Sequence, residues 1–532
     1  MTKLINQPPQ SGLGEVLHLS WPASLSMLNS TIMRFVDGLM VSFIGTIPFS
    51  AQLVGGLAAF VPESFATGML AVVNTYVAQN LGAKLYNRCG QYAWAGVFLA
   101  SLFCLLITPL IFFAEPIFYF LTKDQPQTPD VIELRNLEIM YFRYMVAAVF
   151  VTLTARPLEQ FFYGVHRPRI VLFASITANL VNVVLGYILI FGSSGLPALE
   201  KYLHLDLQNT WLGQLNIPKY GLEGGAWGNL ISWGLYMVIL LVIFLSHKMA
   251  KKFGTRQLRS VKLRECLELA RIGWPAGMQF ITDVLPWTLM LAWLVGKFGP
   301  AELAATSAAM RWMPLSFMPA VGIGIATTAL VGKYLGKGQP DIARKRTYTA
   351  LGVALVYMGF CGLIFFFFRE QLVAVLITVT PGDLPQYAAA EATRNDIIRI
   401  GGYVMICAAI FQLFDAMGIV FTGALRGAGD TFVPMLITLV TSWGLTVGGG
   451  WLMTELFPQL GSIGPWIGGS AYVIVISLIL FWRFRSGAWR RIDLLHRGTV
   501  ESAESTLLPP MIPPSPPSPP SWMQSHDDEK ED

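Results

Sequence analysis

The stretch FQLFDAMGIVFTGALRGAGDTFVP, Phe411 to Pro434, places one carboxylate, Asp415, inside an apolar run that closes in a glycine-rich basic turn. An ionisable residue at bilayer depth costs at least about 2.5 to 3.5 kcal/mol on insertion scales, so its retention points to function. The competing reading is an Asp that caps or pairs inside a helix bundle. Gln412 shares the face of Asp415, and Thr422 follows two turns later.

The rest of the chain has the same character. Of 532 residues, 54% are hydrophobic and 13% charged, with a mean hydropathy of +0.54, which places the chain among polytopic membrane proteins rather than soluble multidomain ones. Apolar runs near the roughly 20 residues needed to span a bilayer fall at 14–43, 51–80, 91–120, 137–164, 169–192, 222–246, 267–296, 304–332, 347–368, 397–424, 432–454 and 463–484. They predict an all-α integral membrane protein of about twelve transmembrane helices. The net charge of +5 resides largely in alternate short loops, at Lys84, Arg88, Arg167, Arg169, Lys248 to Arg264, Lys333 to Arg346, Arg426 and Arg483 to Arg497. That is a topology signal and not a nucleic-acid groove, and it puts both termini in the cytoplasm. Five cysteines form no CxxC pair and six histidines no HExxH cluster, so no disulfide frame, metal site, cofactor or enzymatic nucleophile is expected. The first apolar run is too long for a cleaved signal and contains Asp37.

Motifs recur across the chain: SWPASLSML at Ser20 with GWPAGMQFI at Gly273, VAQNLGA at Val77 with VGKYLGK at Val331, and YGVHRPR at Tyr163 with TGALRGA at Thr422. This internal repeat predicts two parallel six-helix bundles around a central cavity, 14–246 and 267–485, joined by a basic linker at 247–266. A short segment, 1–13, precedes them, and the Pro/Ser-rich tail 486–532 is expected to be extended and disordered. The outer loops 193–221 and 369–396 are expected to carry short surface helices.

Further polar residues lie inside the spans. Ser26, Ser30, Arg34 or Met33, and Asp37 form a stripe on the first helix that must face the bundle interior or water, and Arg34 is spaced to pair with Asp37. Asp283 has Gln279 one turn before it, and Pro286 leaves the Thr282 carbonyl without its helical donor. Glu63 adjoins Pro62, and Asn179 and Asn182 add amides in the fifth helix. Aligning Gly164 with Gly423 puts Arg156 where Asp415 sits, with Glu159, Glu63 or Asp37 as its candidate partners. Twenty-one Met and fifteen Trp suit a promiscuous cavity for flat cations, and equally a lipid-facing or interfacial surface.

These motifs together resemble the multidrug and toxic compound extrusion (MATE) family, from Gly14 to about Arg485. An Asp lies eight residues ahead of a GALRGxGD-type turn, as Asp415 lies ahead of Gly423 to Asp430; the first helix carries an FVDxxM pattern at Asp37; and an acid follows the GWPA start at the NorM-branch spacing, at Asp283. Asn182 is followed by Gly186 rather than Asp, which is also similar to the NorM branch. The resemblance implies a monomeric, multi-pass plasma-membrane antiporter, in the inner membrane if bacterial. It would export small-molecule lipophilic cations against H+ or Na+ as the halves rock, with Asp37, Asp283 and Asp415 alternating between coupling ion and substrate. Na+ is the one metal ion implied, at Asp283 and Asp415, yet Phe411 stands where some Na+-coupled relatives have a Tyr oxygen. Intramembrane Arg34, Arg143, Arg156 and Arg311 support a second expectation, a lipid-linked sugar or polysaccharide flippase of the same superfamily.

Overall fold

Long helices dominate the computed structural model, which describes residues 12–123, 128–192, 217–257, 262–376 and 384–495. We number the twelve that are long enough to cross a bilayer. They are α1 Gly12–Ser42, α2 Ile47–Gly82, α3 Tyr86–Ile111, α4 Pro129–Gly164, α5 Pro168–Phe191, α6 Gly221–Phe244, α7 Leu263–Phe298, α8 Ala301–Gly336 and α9 Pro340–Phe367, then α10 Leu384–Ala428, α11 Phe432–Leu456 and α12 Ile463–Arg485. Eleven have a span apolar enough for a membrane; α1, with Glu15, Arg34 and Asp37, is the polar exception. No strand occurs among the described residues.

Three boundaries differ from the sequence expectation. The run at 91–120 is broken, because α3 ends in a tight turn at Thr108–Ile111, around Pro109, and the chain restarts as the short helix Ala114–Leu121. A short helix, Arg369–Leu376, does follow α9. The remainder of that loop is no separate surface helix, since residues from Leu384 onward already belong to α10, 45 residues long. The expected surface helix within 193–216 and the tail beyond Leu495 lie outside the described residues, while the start of the expected tail is ordered: Ala488–Arg491 forms a short helical turn that buries Trp489 against Phe484. Pro286 does not break α7, which widens to a π-turn over Met290–Leu294 just beyond it, and α11 contains a second π-segment, Ser442–Gly449.

The repeat is visible in how the helices touch. A Cβ on Gly68 of α2 would meet the Ala276 carbonyl oxygen at 2.7 Å and Gly277 Cα at 3.0 Å on α7. Its counterpart Gly322 of α8 would meet the Ala23 carbonyl carbon of α1 at 2.6 Å, and Ala23 is the counterpart of Ala276. Further along, a Cβ on Gly82 would lie 3.0 Å from Gly336 Cα, and one on Gly336 would lie 3.0 Å from Gln79 Cα. Equivalent residues contact each other reciprocally, the signature of a two-fold axis between α2 and α8, and absent side chains let the backbones approach. The ends of these two helices also match, with positive φ at Lys84 (63°) and Gly338 (71°).

The same contacts correct the register of the third motif. Gly164 packs on Val77 and Asn74, whereas the residue packing on their equivalents Val331 and Thr328 is Gly427, not Gly423. The positive-φ residues closing α4 and α10, His166 and Gly429, carry the same shift. Asp415 therefore corresponds to Thr152 rather than to Arg156.

Each half has its own packed core, around Phe118, Phe142 and Leu153 in the first and Phe421, Trp466 and Phe484 in the second. Trp466 is fully buried against Trp287, at 5.7 Å between ring centroids, while Trp274, Trp293 and Trp482 are exposed. Trp here thus serves both core and outer surface.

Candidate functional site

In the second half, α7 carries Asp283, α10 carries Asp415, and α12 carries Tyr472 near the same level. The Tyr472 hydroxyl donates to Asp283 Oδ1 at 2.5 Å, and the charges of Asp283 and Asp415 act on one another. Asp283 is exposed and Asp415 half-buried, although both sit mid-helix. No Lys or Arg among the described residues pairs with either acid. Two carboxylates that act on one another in a low dielectric are costly to ionise together.

The amides expected beside them do something else. Gln279 Nε2 donates to Thr438 Oγ1 of α11 at 3.2 Å, and Gln412 Nε2 donates to Ser316 Oγ of α8 at 3.0 Å. Both amides are buried and tie helix to helix. Thr422 is half-buried, two turns beyond Asp415 toward the end of α10.

In the first half Asp37 is buried, with the Asn229 amide of α6 at its carboxylate and Tyr141 of α4 nearby. Asn182 Nδ2 donates to Asn229 Oδ1 at 3.0 Å, and Asn179 Nδ2 to the Asn29 carbonyl at 2.8 Å. The spacing that would pair Arg34 with Asp37 is not used. Arg34 instead shares a charged cluster with Glu63 of α2 and Arg156 of α4. Of the three candidates for Arg156, the structure selects Glu159, with Nη1 to Oε2 at 3.1 Å. Glu63 accepts a hydrogen bond from Thr152 Oγ1 at 2.7 Å. Tyr472, Tyr141 and Asn229 were not singled out from the sequence; Asn229, a lone amide in GGAWGNLISW, was the most legible of them.

The MatE family profile matches residues 22–188 and 275–452, one segment in each half. The chain belongs to the MatE family. Among relatives, it is 27% identical over 488 residues to the multidrug resistance protein NorM of Burkholderia vietnamiensis, covering 91% of this chain and 96% of that one. It is 25% identical over 491 residues to a probable NorM of Synechocystis, covering 91% and 97%. Among solved structures, a MOP superfamily transporter from Pyrococcus furiosus superposes with a TM-score of 0.75 at 19% identity, covering 91% and 97%. The eukaryotic MATE transporter AtDTX14 superposes with a TM-score of 0.73 at 18% identity, covering 94% and 100%. At these identities the structural likeness establishes the fold.

In this MatE protein the hydrogen bonds and ion pairs that join the halves, among the described residues, all lie on the side of the two chain ends, no further in than Ser24 and Pro319. Ser24 Oγ donates to the Pro319 carbonyl at 2.6 Å, Thr75 Oγ1 to the Arg426 carbonyl at 2.8 Å, and Gln79 Nε2 to the Gly427 carbonyl at 3.1 Å. Glu15 of α1 closes this seal, receiving Lys333 Nζ at 2.8 Å, Tyr334 Oη at 2.7 Å and Arg346 Nε at 2.7 Å. Beyond it the halves meet through the Phe60–Phe280 rings, 6.3 Å between centroids, and through Arg311 over the Phe49 ring at 5.3 Å. Among the described residues, the polar contacts between the halves are thus confined to the termini side.

Proposed function

We propose that this MatE protein is a secondary active multidrug efflux antiporter of the plasma membrane, exporting amphipathic organic cations in exchange for H+ or Na+ by alternating access. The observation that carries the reading is the Asp283–Asp415 pair, accessible at mid-helix, each within reach of the other's charge, and without a basic partner among the described residues. A site of this kind holds a coupling cation or a cationic drug, and binding one displaces the other. Asp37, buried in its amide and tyrosine network, is the third exchangeable acid. The basic loops on the termini side argue for cytoplasmic chain ends, so the sealed state is the one open to the outside. Two coupling cations per monovalent drug carry one net charge inward, worth about 2.3 kcal/mol per 100 mV. That supports roughly a 40-fold drug gradient. The multidrug resistance names of the NorM relatives support the same reading.

The test is ethidium efflux from vesicles containing the protein, with proton and Na+ gradients imposed separately. Efflux driven by either ion names the coupling ion. Asp415→Asn is expected to abolish driven efflux while the purified variant keeps its elution profile, and full export by that variant would sink the assigned role. The accessible guanidiniums of Arg34 and Arg311 favour one second reading, a flippase for lipid-linked sugars. No efflux under both gradients, with flipping of a lipid-linked sugar, would establish it.

A further inference from the structure

The termini-side end of the second half carries a pocket apart from the mid-helix acids. Arg271, Trp274 and Pro275 of α7, Asp430 and Phe432 at the start of α11, and Ile492 line a cavity of about 360 Å³. Thr431 Oγ1 ties its two sides together by donating to the Ile272 carbonyl at 2.7 Å. Trp274 precedes Asp283 by nine residues, about two and a half helical turns, so it stands on the face of α7 opposite that acid. Around the pocket one charge is left over. Asp430 is buried and committed to Arg483 of α12, with Nε to Oδ2 at 2.9 Å. Glu268, one turn before Arg271, is committed to Arg264 at 2.8 Å and to the Tyr92 hydroxyl. Arg271 is exposed, and among the described residues it makes no ion pair and no hydrogen bond.

Two apolar rows begin at this pocket. Trp274 and Met278 recur at one-turn spacing on α7, as do Phe432, Leu436 and Val440 on α11, and all five are exposed. Trp274 and Phe432 meet edge to face, 6.1 Å between centroids, and the Gln279–Thr438 hydrogen bond joins the same two helices further along. The rows therefore run side by side, away from the termini side. Exposed apolar side chains on membrane helices accept hydrocarbon, and a guanidinium at their interfacial end accepts phosphate oxygens. With the chain ends in the cytoplasm, the pocket lies at the leaflet that carries anionic lipid.

We infer that this pocket binds one anionic phospholipid, with its phosphodiester on Arg271 and its acyl chains along the rows that start at Trp274 and Phe432. A zwitterionic headgroup would bring its own cation beside Arg271, and the pocket's carboxylate, Asp430, is not free to receive it. An anionic headgroup brings no such cation. The inference rests on the placement of the chain ends and is independent of the efflux reading.

Native mass spectrometry of the purified full-length protein, titrated with phosphatidylglycerol or phosphatidylcholine of equal chain length, gives the affinity for each lipid. Phosphatidylglycerol is expected to bind about tenfold more tightly at the first site, as for a hydrogen bond to a charged group. In Arg271→Gln this ratio should fall towards one, and Arg271→Lys should keep part of it. Lys248→Gln, which removes an exposed cation at the same end but outside the pocket, should leave the ratio unchanged. Replacing Arg271 strands no acid, so the variants are expected to keep the parent's elution profile. Location is read separately: phosphatidylglycerol bearing a photoreactive diazirine near its headgroup should label peptides containing 271–275 and 429–432, and lose that labelling in Arg271→Gln. A wild-type ratio near one, an equal fall in Lys248→Gln and Arg271→Gln, or labelling confined to other segments overturns the inference. Displacement of the lipid by glycerol phosphate at equal concentration would assign the pocket to a soluble phosphate and overturn it as well.

Discussion

Tyr472 fixes the Asp283 carboxylate through a 2.5 Å hydrogen bond. Hydrogen bonds to charged groups contribute about 1.5 to 3 kcal/mol, and Phe has the shape of Tyr without the donor. Tyr472→Phe is therefore expected to weaken binding of a cationic dye about tenfold with little change in thermal unfolding; wild-type affinity would show that the bond does not position the carboxylate. The acids themselves were legible in the sequence because a charge inside an apolar run stands out energetically. Their neighbours were not. Same-face spacing put Gln279 and Gln412 beside Asp283 and Asp415, but spacing on one helix says nothing of which neighbouring helix offers an acceptor, and Thr438 and Ser316 take both amides. Arg34 and Asp37 show the same limit from the other side: three residues apart, they have different surroundings, Arg34 the charges of Glu63 on α2 and Arg156 on α4, and Asp37 the Asn229 amide of α6.

Helix by helix, the repeat was legible because duplicated contacts need duplicated small residues. The SWPA and GWPA starts, and the glycines Gly82 and Gly336, fall at contacts between the halves. The third motif misled by one turn. α10 has glycines at both 423 and 427, four residues apart and so on one helix face, and pattern matching chose the nearer to the motif while packing chose the other. The close approaches make a stability prediction. A Cβ on Gly322 would overlap the α1 backbone at Ala23, whereas one on Gly352 of α9 meets nothing within 4 Å. Overpacking costs about 1 to 3 kcal/mol, and a Gly-to-Ala change in an open helix interior costs nothing sterically. Gly322→Ala should lower the thermal midpoint of the purified protein by several degrees and Gly352→Ala should not. Equal midpoints would mean that α1 and α8 part readily, contrary to a tight seam.

For the whole molecule the question is what holds the two halves in this one of their arrangements. The backbone contacts at Gly82 and Gly336 obey the two-fold axis and bring no charge, so they set how the halves fit without distinguishing the chain ends. Glu15 breaks the symmetry. It comes from the first helix of the first half, yet it binds Lys333 and Arg346 of the second at 2.8 and 2.7 Å, with all three side chains at most 22% accessible. Opening the termini side must separate these charges, so the latch stabilises the sealed state relative to the other. Glu15→Gln removes both ion pairs and leaves two cations facing each other. A cost of about 1 to 2 kcal/mol, below the 3 to 5 of a fully buried pair because water can enter, shifts the populations roughly five- to thirtyfold. Spin labels on exposed Leu85 and Lys337, one in each half beside the seal, report the change in a cysteine-free background. The variant should show a second, longer distance that is scarce in the parent, and efflux limited by return to the sealed state should slow with it. If the distances stay unchanged, the glycine contacts and the hydrogen bonds of Ser24, Thr75 and Gln79 hold the seal alone, and Glu15 merely anchors the start of α1.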